Sequence, residues 1–582
     1  MSPSRISHQL RQFPPHSPLK LVHGVVSIRL VLGSSSRSYS RSDSVFFASL
    51  FMEPGSPEVS RETSLEAAYK DLETPDVHNT AQQLERANRV YKEIARVEDP
   101  PTTWEMFVWY FYGLCSQFVY TVLLPIVFPL ILSQMVRDAP EPEQGWGKSF
   151  MGLPCRKDEM QLYQDLRYRS ISVGGGNNLS PLHWASISWA IGVFISAPVL
   201  AGVAFHLDHG NQQQLISGVA IVVGALFCLP AGFFKSPWPF PPYTSAIVAA
   251  HGVALAAHTR HMGLIVRGLT GPAVSKRKFP VRRAVGSWLS LCGAAAGSVG
   301  ASVIAAFTLL MLRRPDPFTS LWVVSIFGGL KWLAGIGHAV FTHRPAPEAP
   351  GPRPVARLAH AMTVFEYPHA AGTLAGVLFA SFAASCIFTG GLLYLVGELC
   401  LRPLFVFCVS LAYFTFPTVS LPLLHPLQLL FRTDAMRMQL LGFLLSAVTS
   451  GTGYLSRHKD WSRGFLLVGA IVQSTSAGIL HSFGRVLLMD CSPPGREGAL
   501  AAWFAWTTSA GTCAGFAVAT AFPGDVGAAF GAAFCAVAGG AVVLVFGNVS
   551  HLGGAVAAGH VRDEESSEKG SPSPGKDGPE SH

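Results

Sequence analysis

Twelve stretches of apolar residues, each long enough to cross a bilayer, dominate this chain of 582 residues. A spanning helix needs about 20 such residues. The stretches lie at roughly 105–136, 183–206, 213–234, 241–266, 284–312 and 319–343, and then at 369–397, 400–428, 436–456, 463–489, 498–521 and 525–548. Between the two sets of six sits a polar, proline-rich break at 344–368. Inside lipid every backbone N–H and C=O needs an internal partner, which continuous helices provide. The predicted fold is therefore an all-α membrane protein, with twelve transmembrane helices in two six-helix bundles. Two equal halves suggest an internal duplication, inferred from count and spacing alone. The 400–428 stretch holds four prolines and is expected to be kinked or broken.

Composition excludes the main alternatives. Charged residues make up 13% of the chain, against about 25% in soluble domains. That is too few to cover a soluble enzyme, and too few for a chain disordered over most of its length. The net charge of +8 is assigned to membrane-flanking loops and not to nucleic-acid binding. The ten cysteines are scattered, with no CxxC and no Cys/His ligand spacing. They read as small apolar residues in helices, with no disulfide framework and no metal site; only Cys155 falls in a long polar segment.

The domain plan follows the stretches. Residues 1–103 form an N-terminal region on the cytosolic side. Within it, 1–51 is Ser- and Arg-rich and reads as a transit peptide or an upstream extension before Met52. Residues 80–98 suit a short amphipathic helix. The first bundle covers 104–343, with a long loop at 137–182; the connector is 344–368, the second bundle 369–548, and 549–582 a disordered cytosolic tail. Lys and Arg set the orientation. Arg267, Lys276, Arg277, Lys278, Arg282 and Arg283 follow span 4, and Arg344, Arg353 and Arg357 lie in the connector. Both groups share a side with the N-terminus, which puts both termini in the cytosol. Arg457, Lys459 and Arg463 oppose this bias. Asn178-Leu179-Ser180, a glycosylation sequon, faces the other side.

Polar residues inside spans are costly and normally face a bundle interior or a water-filled cavity. Glu105, Trp109, Tyr112, Ser116 and Tyr120 form one stripe of span 1. Thr244, His251 and His258 repeat every seven residues in span 4; Lys331 and His338 align in span 6; Ser474, Gly478, His481 and Arg485 align in span 10, with Gln473 beside them. Each has a plainer reading: Glu105 and Arg485 as interfacial charges, the tyrosines as packing aromatics, the histidines as satisfied between helices, Lys331 as snorkelling. Together they suggest a polar cavity lined by Tyr112, Ser116, His251, Lys331, His338, Gln473 and His481. Lys331 is placed to pair an anionic group, and the histidines to hydrogen-bond or carry a proton. No P-loop, HExxH or GxSxG occurs, so no enzyme chemistry and no cofactor is expected.

Six-plus-six spans with a connector resemble the major facilitator superfamily. Glu105-x-x-x-Trp109-x-x-Tyr112, followed by Pro125 and Pro129, resembles the start of the autophagy-linked vacuolar amino-acid effluxer family. Pro493-Pro494-Gly495-Arg496-Glu497 before Trp503-Phe504 resembles that family's P-P-G-R-E segment. The overall plan is also similar to plant major-facilitator-like proteins of unassigned substrate. Gly113 stands where the family has Asp, and Ser116 where it has Asn. After span 2, Asp208 and Gly210 match the superfamily's gating loop, and Gln212, Gln213 and Gln214 replace its basic residues.

The resemblance implies a secondary transporter that moves a small polar metabolite by alternating access, with amino acids leaving the vacuole as the favoured case. Asp208, Gly210, Pro494, Gly495, Arg496 and Glu497 are the implied gating or hinge residues. The implied partners are membrane lipid and a small-molecule solute, with a proton as the candidate coupling ion. A non-transporting receptor or scaffold on the same fold, or a transporter of a sugar, phosphate or other solute, is the alternative. The vacuolar membrane is the first expected location, before the plasma membrane and the plastid envelope.

Overall fold

The computed structural model describes residues 99–562, apart from 137–154, 345–353 and short gaps at 156, 174–176, 210, 231–232, 234–235, 315, 343, 368, 548 and 550. The expected transit peptide, the amphipathic helix at 80–98 and the tail beyond Arg562 lie outside the described residues, as does Gly210.

Twelve helical rods run through the described residues. In the first half they are Thr103–Gln134, Pro181–Asp208, Gln213–Cys228, Phe240–Thr270, Phe279–Leu312 and Pro317–Phe341. In the second they are Ala370–Gly397, Pro403–Leu430, Ala435–Leu455, Arg463–Asp490, Glu497–Ala521 and Val526–Phe546. They are numbered here as spans 1 to 12. Local chemistry sets their ends. The Thr102 hydroxyl accepts from the Glu105 N–H at 3.1 Å to cap span 1, Ser180 caps span 2 ahead of Pro181, and Asp525 caps span 12. Gly271, at φ +92°, ends span 4 in a conformation that side chains disfavour. Prolines break span 8 at Phe416, as expected, into Pro403–Thr415 and Pro417–Leu430. Span 1 relaxes into a π-helix over Val119–Val127 around Pro125.

Eight of the rods are long and apolar enough to cross a bilayer by themselves. The other four, spans 3, 4, 9 and 11, are shorter or more polar. Span 4 shows why that is tolerated: His251, His258, Arg260 and His261 are all buried within protein, away from lipid. The outward faces are apolar, with Phe194 82%, Leu455 78% and Phe546 80% exposed, as lipid contact requires. The chain is a multi-pass, all-α membrane protein with two six-helix bundles.

The packing repeats between the halves. Spans 1–5, 1–6, 2–4, 3–4 and 3–6 pack together in the first bundle, and 7–11, 7–12, 8–10, 9–10 and 9–12 in the second. Adding six to each number maps one set onto the other. The bundles meet through 2–11 and 5–8, and through 4–11 and 5–10, which are again pairs under the same rule. Glycines make the tight crossings. A Cβ on Gly300 of span 5 would strike the Leu114 carbonyl of span 1, and one on Gly515 of span 11 would strike the Phe382 carbonyl of span 7. Spans 1–5 and 7–11 are equivalent crossings, each resting on a missing side chain.

Cysteine usage differs from the sequence expectation at one place. Cys155, in the loop after span 1, forms a disulfide with Cys400, after span 7. The other eight cysteines are free thiols. Apolar counting could not pair two cysteines 245 residues apart. The helix Lys157–Arg167 that follows Cys155 lies against the second bundle, where the Tyr163 hydroxyl donates to the Pro523 carbonyl at 2.8 Å. A short hairpin, Ile171–Val173 with Asn177–Leu179, completes this loop and leaves Asn178 of the sequon exposed.

Candidate functional site

A cavity of about 140 Å³ lies between the bundles, midway along the rods. Span 1 contributes Gln117, Tyr120 and Thr121, span 4 contributes His251, and span 8 contributes Tyr413. Span 7 presents Ser381, Ser385 and Thr389 at i, i+4 and i+8, one face of a helix. Spans 10 and 11 add His481, Thr508 and Thr512. The lining holds hydroxyls, imidazoles and aromatic faces, and no Asp, Glu, Lys or Arg. Several hydroxyl protons are committed to the helix: Thr121 donates to the Gln117 carbonyl at 2.9 Å, and Thr512 to the Thr508 carbonyl at 2.7 Å. Their oxygens remain as acceptors. The Tyr120 and His251 rings meet edge to face at 4.3 Å.

The seven residues expected to line one cavity are distributed among several environments. His251 and His481 line it. Tyr112 and His338 belong to a buried aromatic–imidazole cluster inside the first bundle, with ring centroids 5.3 Å apart. His258 sits 4.8 Å from Tyr112 and stacks on Trp109 at 4.4 Å. Ser116 is buried one turn beyond Tyr112 on the same stripe. Lys331 donates to the Gly300 carbonyl at 2.7 Å and sits over the Phe118 ring, between spans 5 and 6. Gln473 is held within the second bundle by the hydroxyls of Ser446, at 3.3 Å, and Thr449. The stripe argument places residues on helix faces and does not say which faces share one space. Among the described residues, no group of three or more His, Cys, Asp or Glu side chains could hold a metal ion.

Below the cavity, at the end that carries the connector, the bundles are tied together. The Asp208 carboxylate, at the end of span 2, accepts from the Gly498 and Ala499 backbone N–H groups, the latter at 2.9 Å. These belong to the first turn of span 11, where helix N–H groups lack internal acceptors and favour an anion. His360 of the connector reaches the same carboxylate at 2.9 Å, and its other ring nitrogen meets Arg496 at 2.8 Å. Arg267 pairs with Glu497, which also accepts from the Gly495 N–H at 2.8 Å. Arg283 reaches Asp434 at 3.2 Å and Asp490 at 3.4 Å. Glu105 closes the first bundle on His261 at 2.8 Å and Arg344 at 2.7 Å. Thus Asp208, Gly495, Arg496 and Glu497 sit in this layer, with Pro494 in the adjoining turn. His261, His360, Arg267, Arg283, Asp434 and Asp490 were not anticipated as members. The basic cluster after span 4 was read for orientation alone, and nothing in the sequence pairs charges more than a hundred residues apart.

Part of the tail expected to be disordered from 549 takes up regular structure between 551 and 562 and crosses this same end. His551–Ala557 is helical, and Val561–Arg562 pairs in parallel with Val274–Ser275. Buried His560 meets the Ser492 carbonyl at 2.7 Å and Arg282 at 3.2 Å, so it touches both bundles. Burial, reinforced by the charges of Arg282 and Arg267, holds its pKa well below the ordinary 6.5. A depressed histidine pKa stabilises the docked form above the unfolded value and loses that contribution as pH falls. Acidification from about pH 7.5 to about pH 5, across the ordinary imidazole value, should therefore release the tail. Limited proteolysis within 551–562 should accelerate, and His560→Gln should remove most of the pH dependence. An unchanged cleavage rate in the native protein would sink this expectation.

No protein-family model matches the chain, and no curated protein is significantly similar to it. Among solved structures, it is similar to two crystal structures of a bacterial homologue of the iron transporter ferroportin in an outward-facing state, one of them soaked with iron. Identity is 14% for the iron-soaked structure and 15% for the other, each match covering 76% of this chain and 98% of that one, with TM-scores of 0.47 and 0.48.

Proposed function

We propose that the chain is a secondary transporter that carries a small polar solute by alternating access. The observation that carries this reading is the cavity at the seam of two equivalent bundles, closed at one end by ion pairs that cross the seam. Rocking of the bundles about the 2–11 and 5–8 contacts would exchange the closed end. Amino acids are the favoured solute, on the resemblance of the Glu105–Tyr112 and Pro493–Glu497 segments. The hydroxyl-rich lining suits a polar solute of modest size. Its lack of carboxylates disfavours a simple cation.

The connector end is assigned to the cytosol, supported by the basic residues after span 4 and in the connector. The Cys155–Cys400 bond at the opposite end suits an oxidising compartment. That favours the vacuolar or plasma membrane over the plastid envelope, with the vacuolar membrane first.

The test is counterflow in proteoliposomes, with a panel of labelled amino acids, sugars and phosphate, with and without a pH gradient. Exchange of an amino acid above protein-free vesicles is expected. Exchange of another solute keeps the mechanism and changes the cargo. No exchange across the panel by a folded, monodisperse protein overturns the transporter reading in favour of a receptor or scaffold.

A further inference from the structure

Among the described residues, a buried guanidinium in span 10 has no carboxylate partner. Arg485, in span 10, is 4% exposed. Its Nη2 donates to the His481 Nε2 at 2.7 Å, while its Nε and Nη1 find no acceptor. Among the described residues no carboxylate pairs with it. At the seam, Arg267 and Arg283 each face carboxylates. The partial relief that Arg485 receives comes from the Phe504 ring, 5.7 Å from its guanidinium carbon. An unpaired guanidinium within a membrane bundle is costly, so its retention calls for an anion from elsewhere.

The place that anion would occupy is adjacent. His481 lines the cavity, one helical turn from Arg485. Because Arg485 donates to Nε2, that nitrogen acts as acceptor, and the proton of the neutral ring lies on Nδ1. The cavity wall carries no acidic group to repel an anion. Its volume of about 140 Å³ matches about four or five waters, room for a small organic acid.

We infer that the His481–Arg485 pair is an oxyanion receptor at the floor of the cavity, and that the solute carries a carboxylate. The carboxylate accepts from His481 Nδ1–H, and the Arg485 charge behind that ring neutralises it, with direct contact when the floor relaxes. This assigns to Arg485 the anion-pairing role first sought at Lys331, whose ammonium the Gly300 carbonyl already holds. The inference deepens the transporter reading and rests on the same cavity. The carboxylate of an amino acid and that of a simple organic acid share this chemistry.

Calorimetric titration of the purified full chain in detergent tests it, separately from transport. The probes are leucine and lactate, their uncharged-head analogues leucinamide and lactamide, and inorganic phosphate. Binding of at least one acid, with its amide at least about 10-fold weaker, is expected from the loss of a charge-assisted hydrogen bond. Arg485→Gln and His481→Gln should each weaken that acid by about 10- to 100-fold, and Arg485→Lys should restore part of it. Binding of leucine but not lactate identifies an amino acid; the reverse identifies a simple acid. Either result supports the receptor, with or without counterflow, and acid binding without counterflow overturns transport alone. The receptor is overturned if no acid binds, if amides bind as tightly as acids, or if the folded glutamine variants bind unchanged. Should Arg485→Gln fail to fold, His481→Gln and Arg485→Lys decide.

Discussion

Valine in place of Gly515 is expected to leave little folded, monodisperse protein. The new Cβ alone would press into the Phe382 carbonyl and lie 3.0 Å from the Cys386 nitrogen and from the Ser385 Cβ. Two of these neighbours are backbone atoms, which no rotamer change can move aside. Spans 7 and 11 would have to separate, opening voids along their whole crossing. Overpacking typically costs about 1–3 kcal/mol, and about 3 kcal/mol or more is expected where backbone blocks relief. Gly300→Val should behave alike, because the Leu114 carbonyl blocks it at the equivalent crossing of spans 1 and 5. Gly469→Val, where nothing lies within 4 Å, is the matched control, expected to stay within about 0.5 kcal/mol. Size-exclusion profile and apparent melting temperature report the outcome. Equal stability of the Gly515 and Gly469 variants would refute the close-crossing argument.

Asp208→Asn should loosen the connector end. The Asp208 side chain is fully buried and accepts from two backbone N–H groups of span 11 while meeting His360. Asparagine keeps the shape, loses the charge, and sets an NH₂ donor against groups that are themselves donors. Breaking one side of a buried charged network costs about 3–5 kcal/mol. If the lock holds the end closed, amide hydrogen exchange at Gly498 and Ala499 should rise by about 100-fold or more, since about 1.4 kcal/mol is tenfold. Exchange at the opposite end of span 11, near Thr520, should change far less. A uniform rise along the span would indicate general unfolding, and no rise would show that Asp208 does not hold the seam.

Much of the architecture was legible because a bilayer enforces it. Each apolar run became a rod, the prolines of 400–428 broke span 8 at Phe416, and the six-plus-six order anticipated the repeated packing. The site was less legible, since periodicity places a residue on a face and does not say what the face meets. Lys331 and Arg485 look alike in the sequence, as single cations within apolar helices. Lys331 finds a carbonyl because Gly300 has no side chain to obstruct it; a Cβ there would sit 2.7 Å from its Nζ. Arg485 faces His481 and Phe504 and finds no carbonyl. The order of 551–562 was missed because it depends on one two-residue pairing and four buried apolar residues, Val274, Phe279, Ala555 and Val561. So short a signal has no period to detect.

The bond between Cys155 and Cys400 also has a bearing on how the protein is made. Span 1 reaches its loop early in synthesis, yet the partner thiol emerges only after six further spans have been laid down, 245 residues later. The first thiol must stay unpaired until span 7 is in place beside the first half, so closure of the ring is a covalent mark that the second half has begun to join the first. Once closed, the ring encloses the connector. A protease that nicked 344–368 would leave two fragments still joined as one molecule, separable only after reduction.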